Sequence, residues 1–396
     1  MKLILHIGTE KTGSTSIQQW LGHHFDELQR RGIWYSRALG RPANRKLAVY
    51  GRDTENPDDG LKQHQITTEP EHEVWRGQLE QELRAEVEEA TRAGTHTFVA
   101  SSEHCHSRLV SDRMVERVRD LLSPHFEQRR VVCFIRPQLE LLLSSLTAKV
   151  HAGLKLTDRS LDVKPDHKYF DYLGLYRRWA RAFGAEQVEM LPFDAKQDVV
   201  GRFARLVGPA LDDLPGLERE NTSLDYRVMA MANNIQIPRW NGNHANRNRG
   251  FFLKEFAVEE KVTIARERAR KIQARFDEAN RQLASECPGL APTALQPDFD
   301  EYPETGNFGQ VLRDVPFQDQ LTELVLRFNA ELWLERARTQ LAEARVALAE
   351  GAERRALRSM RKAERFARFA QEAGLQSMQP AIDEIVAALH RKEAGP

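Results

Sequence analysis

The run Gly8-Thr9-Glu10-Lys11-Thr12-Gly13-Ser14-Thr15 has the residue types of an oxyanion site. Glycines let the backbone approach an anion, amides at a helix N-terminus point at it, and the helix dipole favours its charge. An apolar strand is expected from residue 2 to Gly8, and Ile17, Trp20 and Leu21 after the loop fall at helical spacing. In the nucleotide-binding pattern G-x-x-x-x-G-K-[ST] the lysine follows the second glycine. Here Lys11 stands two residues before Gly13, so the order is not a relaxed form of that pattern. A strand, glycine loop and helix without a ligand is the plainer alternative, and the lysine and hydroxyl cluster weigh against it.

Two further clusters follow apolar runs. Thr97–Ala100 leads into Ser101-Ser102-Glu103-His104-Cys105-His106, where Glu103 or His104 is a candidate general base. A hydroxyl is a poor nucleophile at neutral pH, and a positioned base removes its proton as the new bond forms. Histidine titrates in the right range unaided, whereas glutamate needs an environment that raises its pKa. A metal reading of His104-Cys105-His106 fails on spacing, because adjacent ligands do not converge easily and no partner cluster appears. Val131–Ile135, continuous and rich in β-branched residues, predicts a strand buried on both faces. Arg136 ends it, and Pro137 suits the start of the leucine-rich helix Leu139–Val150.

On these residues the chain resembles sulfotransferases that use 3′-phosphoadenosine-5′-phosphosulfate (PAPS), in particular bacterial carbohydrate-type members. The resemblance covers roughly residues 1–305. It implies a P-loop-like three-layer α/β fold with a central parallel sheet. It also implies that Lys11, Thr12, Gly13, Ser14 and Thr15 hold the phosphosulfate, and that Glu103, with His104 second, is the base. By the same resemblance Arg136 and Ser144 bind the 3′-phosphate, with Ser145 the alternative to Ser144. A planar guanidinium suits that task because it pairs with phosphate through two parallel hydrogen bonds. The family usually has an aspartate before the proline and a further arginine in the helix. Here Pro137 follows Arg136 directly and Leu141 stands where that arginine often falls. Arg247 and Arg249 are candidates for the basic loop over the 3′-phosphate. Glu220–Leu224 resembles the family's Asn-x-Ser segment, and Phe276–Leu283 its late helix around Asn280. The implied reaction moves a sulfuryl group from PAPS to a hydroxyl or amine, carbohydrate first, leaving PAP and requiring no metal. A P-loop kinase or NTPase, and a non-catalytic glycan- or partner-binding protein on the same scaffold, are the alternatives.

Composition narrows the class. Lysine plus arginine equals aspartate plus glutamate, 58 each in 396 residues, so no global nucleic-acid footprint is present. Three cysteines imply no disulfide framework and fit a reducing compartment. With no signal peptide and no long apolar stretch, the expected location is cytoplasmic. Arginine outnumbers lysine roughly threefold, which points weakly to a GC-rich bacterial genome.

The elements that must position these residues are legible as a series. Helices are expected at about 14–31, 74–93, 112–122, 172–183 and 199–207, and strands at 95–101 and 188–191, with a short strand or turn at 32–35. Residues 37–74 lack periodicity and read as a long loop, either facing the acceptor or without structure. Alternating strands and helices imply a parallel sheet covered on both faces. The expected division is a catalytic domain over 1–317 and an all-helical C-terminal extension over 318–396, with breaks near Gly351 and Gly374. Ala344, Leu348, Ala356, Met360, Ala363 and Ala367 suggest hairpins packed through small residues, resembling a tetratricopeptide-type pair. Arg354–Arg368 carries seven basic residues against one acidic. Such a face suits an anionic glycan, a membrane surface or a partner protein, and a merely solvated face is the plainer reading.

Overall fold

The computed structural model describes residues 1–208, 211, 213–217, 223–234, 258–313 and 318–371, with 379, 380, 383, 386 and 387 beyond them. In chain order the elements are β1 (Lys2–His6), α1 (Ser14–His23), α2 (Phe25–Arg30), β2 (Ile33–Tyr35), α3 (Lys46–Gly51), α4 (Asp59–Gln63), α5 (Glu69–Arg92) and β3 (Thr97–Ser101). There follow α6 (His104–Arg108), α7 (Asp112–Leu122), β4 (Gln128–Ile135), α8 (Gln138–His151), α9 (Tyr172–Phe183), β5 (Val188–Pro192) and α10 (Val199–Val207). The later helices are α11 (Tyr226–Asn234), α12 (Arg266–Ala274), α13 (Asp277–Glu286), α14 (Phe308–Val311), α15 (Gln318–Ala349) and α16 (Glu353–Gln371).

The five strands form one parallel sheet in the order β2-β3-β1-β4-β5. The expected α/β class with a central parallel sheet is therefore present. Side chains alternate across it, and both faces are buried. Ile4, Val99, Val132 and Phe134 pack with Ile17, Trp20 and Leu21 of α1 and Val199, Val200 and Phe203 of α10. Leu3, Leu5, Phe98, Val131 and Cys133 point to the other face and are equally inaccessible. Burial on both faces explains why these strands read as continuous apolar runs rather than alternating ones.

Topology fixes where a ligand belongs. The chain leaves β1 toward β2 at one edge of the sheet and leaves β4 toward β5 at the other. The carboxyl ends of β1 and β4 therefore flank a switch point, the usual ligand crevice of open parallel sheets. Residues 8–15, 102–106 and 136 follow the adjacent strands β1, β3 and β4 at that edge.

Several element boundaries differ from expectation. The first helix is interrupted at His24, giving α1 and α2. The span 37–74 is not a structureless loop but holds α3 and α4. Leu47, Ala48, Val49, Leu61 and Ile66 are buried there, in apolar runs too short for a period to show. Helix α5 starts at Glu69 rather than Val74, because Thr68 and Glu71 form a reciprocal capping box.

By compactness the chain divides into two units. The first comprises 1–145, 161–221 and 265–304 and carries the sheet. The second comprises 146–160, 222–264 and 305–396. Within the second, Asn233 accepts from the Leu156 amide at 2.5 Å, and Asn233 and Asn234 donate to the Val311 carbonyl at 3.3 Å. Its helices α15 and α16 form a hairpin around Trp333, with Ala330, Ala337, Ala363 and Ala367 buried at the contact. Gly351 permits the turn between them, with φ of 71°.

Candidate functional site

The loop after β1 is braced from within. The Thr9 amide donates to the Phe134 carbonyl on β4 at 2.7 Å. The hydroxyls of Thr12 and Ser14 both donate to the Thr9 carbonyl, at 2.7 and 3.1 Å. Ser14 is therefore turned into the loop, whereas Thr15 is exposed on the first turn of α1. Gly13 precedes α1 with φ of 80°, and a Cβ there would lie 2.6 Å from Val199 Cγ1. Both the left-handed backbone and the close approach of α10 demand glycine.

The amides of this loop are the central feature. The first bond of α1 runs from the Ile17 amide to the Gly13 carbonyl at 3.1 Å, and the Glu10 amide is taken by His106 Nδ1 at 3.4 Å. Among the described residues, the amides of 11–16 between them have no acceptor. Consecutive unsatisfied donors at the start of a helix form a cradle for an oxyanion.

Two cations border the cradle. Lys11 is half-buried and, among the described residues, its ammonium makes no hydrogen bond or ion pair. Burial pushes its pKa below the usual lysine range, against the opposing pull of Glu10 and Glu103. Arg136, at the end of β4, donates through Nη1 to the Lys11 carbonyl at 3.2 Å. It thereby links the two loops that flank the switch point. Its Nε and Nη2 atoms hold Glu140 at 3.2 and 2.8 Å, and its guanidinium lies 5.5 Å from the Phe193 ring. Ser144 continues the series Arg136, Glu140, Ser144 at four-residue spacing, on one face of α8. The Ser145 hydroxyl is buried and donates back to the Leu142 carbonyl at 2.7 Å. Ser144, half-buried, has no such internal partner among the described residues. Arg247 and Arg249 lie outside the described residues, as do Trp240–Phe252 and Glu220–Thr222.

Glu103 stands beside the loop on its other side. A Cβ on Gly8 would come within 3.0 Å of Glu103 Cα, so the glycine permits this approach. Glu103 accepts from Gln18 Nε2 on α1 at 2.5 Å, and Gln18 also reaches Ser101. Glu103 is thus oriented by the helix that the loop begins. His104 is largely buried, which lowers its pKa, and its Nδ1 lacks a partner among the described residues.

Sequence reasoning missed the contributions of Glu10, Tyr169, Glu140 and Gln18. Glu10 accepts from the Tyr169 hydroxyl at 3.0 Å, and His106 Nε2 contacts the Tyr169 carbonyl at 3.0 Å. Burial pushes the Glu10 carboxyl up, but the Ser107 and Tyr169 hydroxyls with His106 and Arg108 bring it below the usual range. Glu140 was legible as the partner four residues after Arg136. Gln18 had no sequence signal beyond its place one turn into α1.

Two of the buried histidines, those next to the site, bear on stability. His6, at the end of β1, contacts Ser101 Oγ at 2.8 Å, and burial pushes its pKa down to about 3. Burial likewise lowers His106 to about 4. Both stay neutral in the fold but accept protons when unfolded near pH 6.5. Their contribution is complete above that pH and is lost as pH falls toward 4 and then 3. Urea unfolding is expected to show stability declining below pH 6.5 at up to about 1.4 kcal/mol per pH unit for each histidine. The slope should be shallower in His6→Gln. A decline identical to wild type would remove His6 from this account.

Among the described residues no group of three or more His, Cys, Asp and Glu could hold a metal ion. No helix there is long and apolar enough to cross a membrane. The chain matches no family model, no curated protein and no solved structure.

Proposed function

We propose that this protein is a PAPS-dependent sulfotransferase acting on an acceptor hydroxyl, with carbohydrate the first acceptor class, on a P-loop-like three-layer scaffold. The observation that carries the reading is the run of amides at 11–16 without acceptors among the described residues, bordered by a Lys11 ammonium that is likewise unpaired among them, at the switch point of a parallel sheet. The residues fit an anionic nucleotide. Amides bind one oxyanion, and Arg136 with Ser144 offers donors for a second. We place the reaction in the cytoplasm, a setting compatible with three free, buried thiols.

PAPS, when bound, supplies an activated sulfuryl group and a leaving phosphate that gains charge as the S–O bond breaks. The amides of 12–15 hold the anion, and Lys11 offsets charge building at the bridging oxygen. Glu103, oriented by Gln18, takes the acceptor proton, with His104 the second candidate. Arg136 and Ser144 bind the 3′-phosphate, the group that distinguishes this nucleotide from ATP. Glu140 must yield its place on Arg136 to that phosphate.

Calorimetry with PAP and with ATP, on wild type and Arg136→Ala, tests the reading. Wild type is expected to bind PAP in preference to ATP, and the substitution to weaken PAP roughly tenfold to a hundredfold, as for hydrogen bonds to a charged group. ATP preferred in the presence of Mg²⁺ would replace this reading with a kinase or NTPase. PAP binding without turnover on any acceptor would indicate a binding protein instead.

A further inference from the structure

The outer face of α16 is a separate feature that sulfuryl transfer does not use. Its seven cations between Arg354 and Arg368 fall within about 140° of arc at 3.6 residues per turn. Ala356, Ala363, Ala367 and Ala370, on the opposite side, are buried. Arg354, Arg358, Arg361, Arg365 and Arg368 follow alternating steps of four and three, an exposed stripe about 21 Å long. Among the described residues the side chains of Arg354, Arg358, Arg361 and Lys362 make no hydrogen bond or ion pair. Arg355 pairs with Glu350 and Arg368 with Glu364, as Arg327 does with Glu331 and Arg338 with Glu335 on α15. The chain as a whole is neutral, so this segregation is local.

We propose that this face docks on the headgroup surface of an anionic lipid bilayer. A cluster of four to eight cations on an amphipathic helix is suited to acidic headgroups. Mobile lipids can gather beneath the five-arginine stripe and also beneath Arg355 and Lys362 beside it, whereas a single rod-like polyanion laid along the stripe meets the stripe alone. Leu357, 51% exposed, lies beside Arg354, Arg358 and Arg361 and can enter the interface between headgroups. Phe366 and Phe369 pack on Trp333 instead, so the cationic face offers no stacking platform for single-stranded nucleic acid. The small-residue face of α16 is occupied by α15, so docking is peripheral and electrostatic.

Co-sedimentation of the full chain with phosphatidylcholine vesicles, with and without phosphatidylglycerol, tests this. Binding is expected only with the anionic lipid and should fall steeply with salt. Each neutralised cation should weaken binding roughly fivefold, so Arg358→Gln, Arg361→Gln and Arg365→Gln together should cost on the order of a hundredfold. Arg327→Gln with Arg338→Gln, on α15, should stay within about twofold of wild type if the face rather than net charge decides. Circular dichroism establishes that each variant is folded. The proposal is overturned by absent or lipid-independent vesicle binding, by an unaffected triple variant, or by an equal loss in the α15 pair. Tighter binding to heparin or duplex DNA than to the vesicles, through the same arginines, would reassign the face to a soluble polyanion.

Discussion

Lys11→Met is expected to lower turnover with PAPS by roughly a hundredfold to a thousandfold, the usual loss when one preorganised donor to a developing charge is removed. The ammonium is half-buried and, among the described residues, unpaired, so no internal carboxylate competes for it at hydrogen-bond distance. Partial desolvation makes each of its interactions stronger than in water. Glu10 and Glu103 stabilise its charged form against burial. In the proposed reading the amides of 12–15 hold the ground-state anion without it, so PAP affinity should change by less than about tenfold. The measurement is single-turnover sulfate transfer to a panel of sugar acceptors, alongside PAP calorimetry. Equal losses in turnover and PAP affinity would make Lys11 a binding residue only.

The second large effect is at Glu103. Glu103→Gln should cost about a hundredfold to ten-thousandfold in turnover, the range for removing a general base. The amide can still accept from Gln18, so the side chain keeps its orientation while losing basicity. His104→Gln serves as the counter-test and is expected to cost less than about tenfold. If His104→Gln proves the more damaging, the two assignments are exchanged.

Much of this arrangement was legible in the sequence. The strands β1, β3, β4 and β5 showed because both sheet faces are buried, and α7, α9 and α10 because their periodicity is clean. Lys11, Glu103 and Arg136 each follow a strand end, which sequence order alone indicates. Contacts between distant segments were not legible. The Gln18–Glu103 and Tyr169–Glu10 bonds join residues 85 and 159 positions apart, and only the strand order brings them together. The helices α3 and α4 were missed because their apolar runs, such as Leu47-Ala48-Val49-Tyr50, span hardly more than one turn. Competition between Glu140 and a ligand for Arg136 also belongs to the folded geometry, although the four-residue spacing hinted at it.

The Thr9 carbonyl has both lone pairs engaged by the hydroxyls of Thr12 and Ser14. What the loop's amides present to a ligand is therefore donors, while its most enclosed acceptor is spent. Such a surface rewards oxygens that carry no hydrogen. A sulfonate is free of protons throughout the physiological range, whereas a phosphate monoester gains one near pH 6. Under the proposed function, an oxyanion that stays deprotonated should therefore lose less affinity on acidification than a phosphate monoester.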